Sequence, residues 1–180
     1  WPYKMDRSKG YEENRLITGI KLCNLRIFEQ AQRNQKQRGM GTTLASMFAV
    51  EGGYYVAHVG DSRCYRIRDQ RIEQLTEDHN VYNEFIKKKK IDLGSAAKLA
   101  PRQAITRAVG VKDYVEVDTF PLECRPRDRF ILCSDGVHGY ISNDAEIAHM
   151  MKDDNLEVCG RALIDNALMR GGKDNCTVVI

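Results

Sequence analysis

The sequence lacks long apolar runs, closely spaced cysteines and a signal peptide. No stretch approaches the roughly 20 apolar residues of a membrane-spanning helix, so no membrane association is predicted. The six cysteines lie far apart, without zinc-ligand or redox-pair spacing, which indicates small buried side chains in a reducing compartment. The first residues, Trp-Pro-Tyr-Lys, include neither an apolar leader nor a methionine. We therefore expect a cytoplasmic protein whose sequence here begins partway into a longer chain.

Basic residues are not concentrated in one region. The 28 basic and 25 acidic residues give a formal charge of +3, and the one dense basic run is Lys87 to Lys90. Because a nucleic-acid-binding face needs a broader basic stripe, this charge pattern argues against nucleic acid as a partner. A length of 180 residues with 42% hydrophobic content predicts a single domain over residues 1–180.

Apolar periodicity predicts helices near both ends of the chain and strands in its centre. Three- and four-residue spacing predicts a helix from Tyr11 to about Gln37, and two further helices near 144–151 and 156–169. Short runs rich in branched and aromatic residues predict strands at 42–50, 54–59, 62–68, 71–75, 115–120, 129–133 and 176–180. Residues 80–104 break this pattern and predict a flap-like excursion. The fold class that follows is α+β, a β-sandwich flanked by helices on both sides.

Three aspartates follow or precede predicted strands, each with glycine close by. They are Asp61 in Gly-Asp-Ser-Arg, Asp135 in Ser-Asp-Gly, and Asp174 in Gly-Gly-Lys-Asp-Asn. Hard cations such as Mg²⁺ and Mn²⁺ prefer oxygen ligands, so carboxylates converging from separate loops are candidate metal ligands. Aspartate beside glycine is also typical of turns, and any one of the three taken alone is ambiguous. Asp78-His79 has the same ambiguity as a loop pair.

Six motifs occur in one order along the chain, and together they are more informative than any aspartate alone. The motifs are Gly39-Met40-Gly41-Thr42-Thr43, Ala57-His58-Val59-Gly60-Asp61-Ser62-Arg63, Gln74-Leu75-Thr76-Glu77-Asp78-His79, Ile105-Thr106-Arg107-Ala108-Val109-Gly110, Cys133-Ser134-Asp135-Gly136 and Lys173-Asp174-Asn175-Cys176-Thr177. This order closely resembles the type 2C family of metal-dependent serine/threonine protein phosphatases, especially its bacterial branch. The resemblance extends from Gly39 to Ile180.

The resemblance implies two antiparallel sheets packed as a sandwich, each covered by helices, with two or three Mg²⁺ or Mn²⁺ ions at one end. By this likeness Asp135 and Asp174 hold one ion of the core pair, and Asp61 with Asp135 holds a third ion found in many members. Ser62 and Arg63, like Gly136 and Asn175, are expected to shape the site. The implied reaction is hydrolysis of phosphoserine and phosphothreonine in phosphorylated protein substrates.

The chemistry needs no protein nucleophile. Two ions about 4 Å apart neutralise the phosphate and activate a bridging water, so no side chain is expected to act as a catalytic nucleophile. Cys133 follows an apolar run and lacks an arginine-rich phosphate loop, which disfavours a cysteine phosphatase.

The sequence departs from the family at its start. Members carry an Asn-Glu-Asp type segment and an Asp-Gly-x-Gly-Gly segment before the first helix, and the second supplies an aspartate that bridges both core ions. Neither is present, and the nearest carboxylates, Asp6 and Glu12-Glu13, lack the glycine context. A smaller departure is Val137-His138-Gly139-Tyr140, where the family often has leucine, threonine and aspartate.

Two explanations of the missing segments remain. Either the chain is the C-terminal portion of a complete phosphatase, or it is a catalytically silent interaction module that has lost the bridging aspartate. Retention of the three downstream aspartates favours the first explanation. We also expect residues 1–180 alone not to form a stable, active monomer, because the strands that bear the missing motifs would have to come from a partner chain or segment.

Overall fold

The structure is a computed structural model that describes residues 3–89, 104–141 and 143–180. Its backbone contacts divide the chain into two compact units. Unit 1 contains Trp1–Gly60 and Asp78–Glu123, and unit 2 contains Asp61–Glu77 and Cys124–Ile180. In the described ranges, none of the helices combines the length and the hydropathy that crossing a membrane requires.

The described residues form helices and strands in mixed order. In chain order they are α1 (Tyr11–Arg33), a 3₁₀ turn (Gln35–Gln37), β1 (Leu44–Val50), β2 (Gly53–Val59), β3 (Arg63–Arg68), β4 (Arg71–Gln74), α2 (Val81–Lys89), β5 (Asp118–Leu122), β6 (Arg129–Cys133), α3 (Asp135–His138), α4 (Asp144–Met150), α5 (Leu156–Met169) and β7 (Val178–Val179).

Unit 1 contains a three-stranded antiparallel sheet in the order β1-β2-β5. The β1–β2 hairpin pairs Leu44 with Val59 and closes at Val50 and Gly53. Gly52 in this turn has a φ of 85°, a conformation that costs glycine little. Helix α1 contributes to the core of this unit, which consists of Ile20, Ala57, Val59, Val109 and Val115.

Unit 2 contains a four-stranded antiparallel sheet in the order β4-β3-β6-β7. The two-residue turn between β3 and β4 has positive φ at Asp69 (50°) and Gln70 (63°), as the hairpin turns that match strand twist require. Alternate side chains of β3 and β6 point into one core, where they meet residues of α3, α4 and α5. These buried residues are Tyr65, Ile67, Ile131, Cys133, Val137, Ile147, Met151, Cys159 and Leu163.

The structure confirms the predicted α+β class with two antiparallel sheets and helices. Strand β5 was predicted at 115–120 but lies at Asp118–Leu122, because its register on β2 pairs Tyr54 with Leu122. Pro121 is tolerated there since β5 is an edge strand of the sheet.

Other predicted boundaries also shift. The first helix ends at Arg33, where Asn34 turns to extended backbone, and the last strand covers two residues. Helix α3 was not predicted. Of the predicted flap, residues 80–89 include α2, while residues 90–103 lie outside the described residues.

Candidate metal centre

Strand register in unit 2 places the three candidate aspartates at one end of its sheet. Strand β6 ends at Cys133, which pairs with Arg63 on β3 and with Val178 on β7. Asp135 therefore follows the end of β6, while Asp61 and Asp174 precede the starts of its two antiparallel neighbours. Antiparallel pairing converts three distant sequence positions into one cluster of loops.

The loops of Asp135 and Asp174 are in direct contact. The Ser134 hydroxyl donates to the backbone oxygen of Asn175 at 3.2 Å and accepts from the Thr177 backbone N–H at 3.1 Å. The backbone N–H of Ser134 donates to the Thr177 oxygen at 3.1 Å. The Cys176 thiol lies 3.0 Å from the Gly136 oxygen. These bonds hold the two aspartate-bearing segments side by side.

Gly136 allows this close approach. A Cβ atom at Gly136 would lie 2.3 Å from the backbone oxygen of Asn175 and 2.9 Å from its carbonyl carbon. No real Cβ tolerates such a distance to a backbone atom, so a larger residue would separate the Asp135 and Asp174 loops. Gly136 is thus required by the close packing of its backbone against the Asp174–Asn175 loop.

The carboxylates of Asp135 and Asp174 are exposed, and each is oriented by the backbone of the next residue. The Gly136 N–H donates to Asp135 Oδ1 at 2.9 Å, and the Asn175 N–H donates to Asp174 Oδ1 at 2.7 Å. Asp135 is also the first residue of α3, where the helix dipole favours a negative charge. Both side chains are therefore held in a fixed orientation at the surface.

Asp61 occupies a different environment. It is 9% exposed, and its backbone oxygen accepts a hydrogen bond from His138 Nε2 at 3.0 Å. Ser62 and Arg63 lead from it into β3, and Arg63 donates to the Tyr65 hydroxyl at 2.8 Å. Burial raises the pKa of that hydroxyl, so Tyr65 remains a neutral partner for the guanidinium.

Unit 1 contains a second polar cluster formed by His58, His79 and Asp118. One possible ligand atom from each residue lies within 4.8 Å of the others, and none of the three candidate aspartates belongs to this group. The two imidazole rings stack with centroids 4.5 Å apart. Arg107 Nη1 donates to Asp118 Oδ1 at 2.6 Å, which places a cation beside the carboxylate.

The hydrogen bonds of His79 argue against a metal ion at this cluster. Its Nδ1 accepts from the buried Gly60 N–H at 3.1 Å, so in neutral His79 the proton sits on Nε2. That Nε2 lies 3.2 Å from Asp118 Oδ2 and donates to it. Neither ring nitrogen then offers a free lone pair, and a ligating histidine needs one.

The surroundings of His79 favour its neutral ring. Burial is the largest influence, and with His58 and Arg107 it lowers the pKa of His79 below its ordinary 6.5 despite Asp118. Burial raises the pKa of Asp118, but the hydrogen bonds from Arg107 and His79 outweigh this effect and lower it below 3.8. The cluster is a neutral histidine held between a backbone N–H and a carboxylate.

The cluster fixes the turn just before Asp61. The His79 backbone N–H donates to the Gly60 oxygen at 2.9 Å, and the His79 ring accepts from the Gly60 N–H. Both backbone polar groups of Gly60 are therefore hydrogen-bonded to His79. Gly60 has a φ of 100°, and a Cβ there would lie 2.4 Å from Thr43 Cγ2. Only glycine satisfies both requirements.

Sequence reasoning missed two features of this region. His138 was noted only as a departure, although its position three residues after Asp135 puts both on one face of a helical turn. His79 was left ambiguous as part of a loop pair, since nothing local indicates that it meets Gly60 and Asp118.

Comparison with known proteins identifies the family of this chain. The family model described as Protein phosphatase 2C matches residues 7–176, and the chain belongs to that family. A Listeria innocua relative, serine/threonine phosphatase stp, is 33% identical over 162 residues, which cover 89% of this chain and 64% of that protein. The chain spans about two thirds of the length of such curated relatives.

Solved structures share the fold. Serine/threonine phosphatase Stp1 from Staphylococcus aureus has a TM-score of 0.81 and 31% identity, over 98% of this chain and 68% of that one. The catalytic domain of serine/threonine protein phosphatase PstP, solved in complex with two manganese ions, has a TM-score of 0.75 and 28% identity, over 91% and 67% of the two chains.

Proposed function

We propose that the full-length protein hydrolyses phosphoserine and phosphothreonine in proteins at a centre of two or three Mg²⁺ or Mn²⁺ ions. In this proposal Asp135 and Asp174 hold one ion of the core pair, and Asp61 and Asp135 hold a further ion. Ser62, Arg63, Gly136 and Asn175 shape the loops that carry these ligands. Phosphorylated proteins are the substrates in this proposal, which the similarity to serine/threonine phosphatases supports.

One observation carries the proposal most directly. Three aspartate-bearing segments lie at one end of the unit 2 sheet, and short contacts through Ser134, Gly136 and His138 join them. A set of carboxylate oxygens is the donor chemistry that hard divalent ions prefer, so the residues present fit such ions. When bound, these ions would neutralise phosphate charge and lower the pKa of a bound water.

The test compares two aspartate variants of the full-length protein. Asp135→Asn removes a proposed ligand charge with little change in shape, and we expect a loss on the order of 100-fold or more in manganese-dependent phosphate release from phosphothreonine peptides. Asp165→Asn makes the same change at an exposed position of α5 and should leave the rate unchanged. Equal rates for Asp135→Asn and wild type would overturn the proposal.

A catalytically silent interaction module is the second candidate, and it differs from the first in lacking a bridging carboxylate. Asp6 accepts from the Ser8 N–H and hydroxyl, and Glu13 pairs with Lys9 and accepts from Thr119. Both carboxylates form hydrogen bonds or an ion pair within unit 1, so neither is assigned as the bridging ligand that the phosphatase proposal needs.

Calorimetry separates the two candidates. Tight binding of two manganese ions by the full-length protein supports the phosphatase and excludes the silent module. An Asp-Gly-x-Gly-Gly segment encoded upstream of Trp1 would supply the bridging carboxylate. A full-length protein that binds no manganese would establish the silent module instead.

A further inference from the structure

His138 links the two segments that carry Asp61 and Asp135. It is the last residue of α3, three positions after Asp135, and it is 8% exposed. Its Nε2 lies 3.0 Å from the backbone oxygen of Asp61, which is 77 residues earlier in the chain. A carbonyl oxygen only accepts hydrogen bonds, so Nε2 carries the hydrogen and donates.

We propose that His138 is a positioning residue that sets the separation of Asp61 and Asp135, and thereby the affinity for the ion they share. This inference rests on the proposed function, in which those two aspartates hold one ion together. Its basis is geometric: the bond runs from the helix that begins with one ligand to the backbone of the other. No other role is assigned to this side chain in the proposed reaction.

Different contacts hold the two residues proposed to bind the other ion, Asp135 and Asp174. Asp135 and Asp174 are kept together by the bonds of Ser134 to Asn175 and Thr177 and by the close packing of Gly136. None of these contacts involves His138. Loss of the His138 bond should therefore weaken binding of the ion shared by Asp61 and Asp135 and leave binding of the ion between Asp135 and Asp174 unchanged.

Burial makes the bond to Asp61 costly to lose. Both His138 and Asp61 are buried, and losing a hydrogen bond at a buried carbonyl costs free energy. Loss of this bond also removes a restraint on the position of the Asp61 backbone, and a shift of that backbone displaces the Asp61 carboxylate. The family often has threonine in this segment, and an imidazole holds its Nε2 donor farther from the helix backbone than a threonine hydroxyl can.

The experiment uses the full-length protein and manganese chloride as the probe. Wild type, His138→Leu and His138→Gln are titrated by calorimetry, and free manganese is counted by electron paramagnetic resonance. Asp61→Asn identifies which binding step belongs to the Asp61 ion. His149→Leu, the same substitution at an exposed histidine of α4, is the matched control.

We expect His138→Leu to weaken the Asp61-dependent step about 10–100-fold, as loss of an outer-shell partner does, with the other steps unchanged. His138→Gln keeps an N–H donor at similar reach and should recover most of the affinity. His149→Leu should match wild type. The double variant His138→Leu with Asp61→Asn should show no further loss at the Asp61-dependent step beyond that of Asp61→Asn alone.

Several results would overturn the inference. They are an unchanged titration for His138→Leu, an equal loss at every step, or a glutamine variant as weak as the leucine variant. If His138→Leu fails to fold, His138→Asn, which is too short to reach the Asp61 oxygen, is judged by the same criterion. A wild-type protein with no Asp61-dependent step overturns this inference alone, whereas one that binds no manganese overturns the proposed function.

Discussion

Gly136→Ala tests whether close packing of two loops holds the candidate metal ligands Asp135 and Asp174 in place. The added Cβ would lie 2.3 Å from the Asn175 backbone oxygen, and real contacts of this kind exceed 3.0 Å. The oxygen belongs to the backbone and cannot rotate away as a side chain could. The Asp174–Asn175 loop must therefore move away from α3 by most of an ångström.

Two energetic consequences follow from this displacement. Overpacking at a well-packed contact costs about 1–3 kcal/mol, whereas alanine in place of a helical glycine otherwise stabilises by up to about 1 kcal/mol. Gly136 is not among the glycines with positive φ, so backbone strain does not contribute. We expect a net loss of stability and a fall in manganese affinity on the order of 10–100-fold, because the two carboxylates are separated.

The assay measures urea unfolding without metal and manganese binding by calorimetry, both on the full-length protein. Gly160→Ala in α5 is the control, since its Cβ would make an ordinary 3.6 Å contact with Ile180 Cδ1. That variant should be as stable as wild type or more stable and should bind manganese normally. A Gly136→Ala protein that behaves like Gly160→Ala would refute the packing explanation of this glycine.

Two further predictions concern pH. Arg68 binds Asp128 through two hydrogen bonds of 2.8 and 2.6 Å and lowers the pKa of Asp128 from 3.8 to about 2. Above pH 4 the ion pair should contribute about 1–2 kcal/mol to the free energy of unfolding, after solvent screening. This contribution should be lost as the pH falls toward 2, so the unfolding curves of wild type and Asp128→Asn should converge there. The pKa of His79 is lowered, so the unfolded chain binds its proton first, and the free energy of unfolding should decline as pH falls below 6.5. His79→Gln should show a shallower decline in urea unfolding between pH 7.5 and 5, and parallel curves would contradict this assignment.

Much of unit 2 could be predicted from local pattern. The hairpin of β3 and β4, strand β6 and helix α5 lie close to their predicted positions because alternation and helical spacing are local properties of the sequence. The three aspartates were identified because glycine and strand ends surround each of them. Their roles as ligands stay predictions that the proposed variants test.

The position of β5 could not be predicted from its residues. Its apolar pattern allows a start at Val115, but pairing with β2 selects Asp118–Leu122. Val115 instead joins the core of unit 1. Register is decided by the partner strand, which local pattern does not contain.

The sequence by itself determined the family, the α+β class and the identity of the candidate ligands, because motifs and periodicity are carried by neighbouring residues. Only the tertiary structure decided that β6 pairs Cys133 with both Arg63 and Val178, which gathers those ligands at one sheet end. It also decided that His138 reaches the Asp61 backbone. Such contacts join residues dozens of positions apart, and they depend on strand register and close packing that no local stretch of sequence contains.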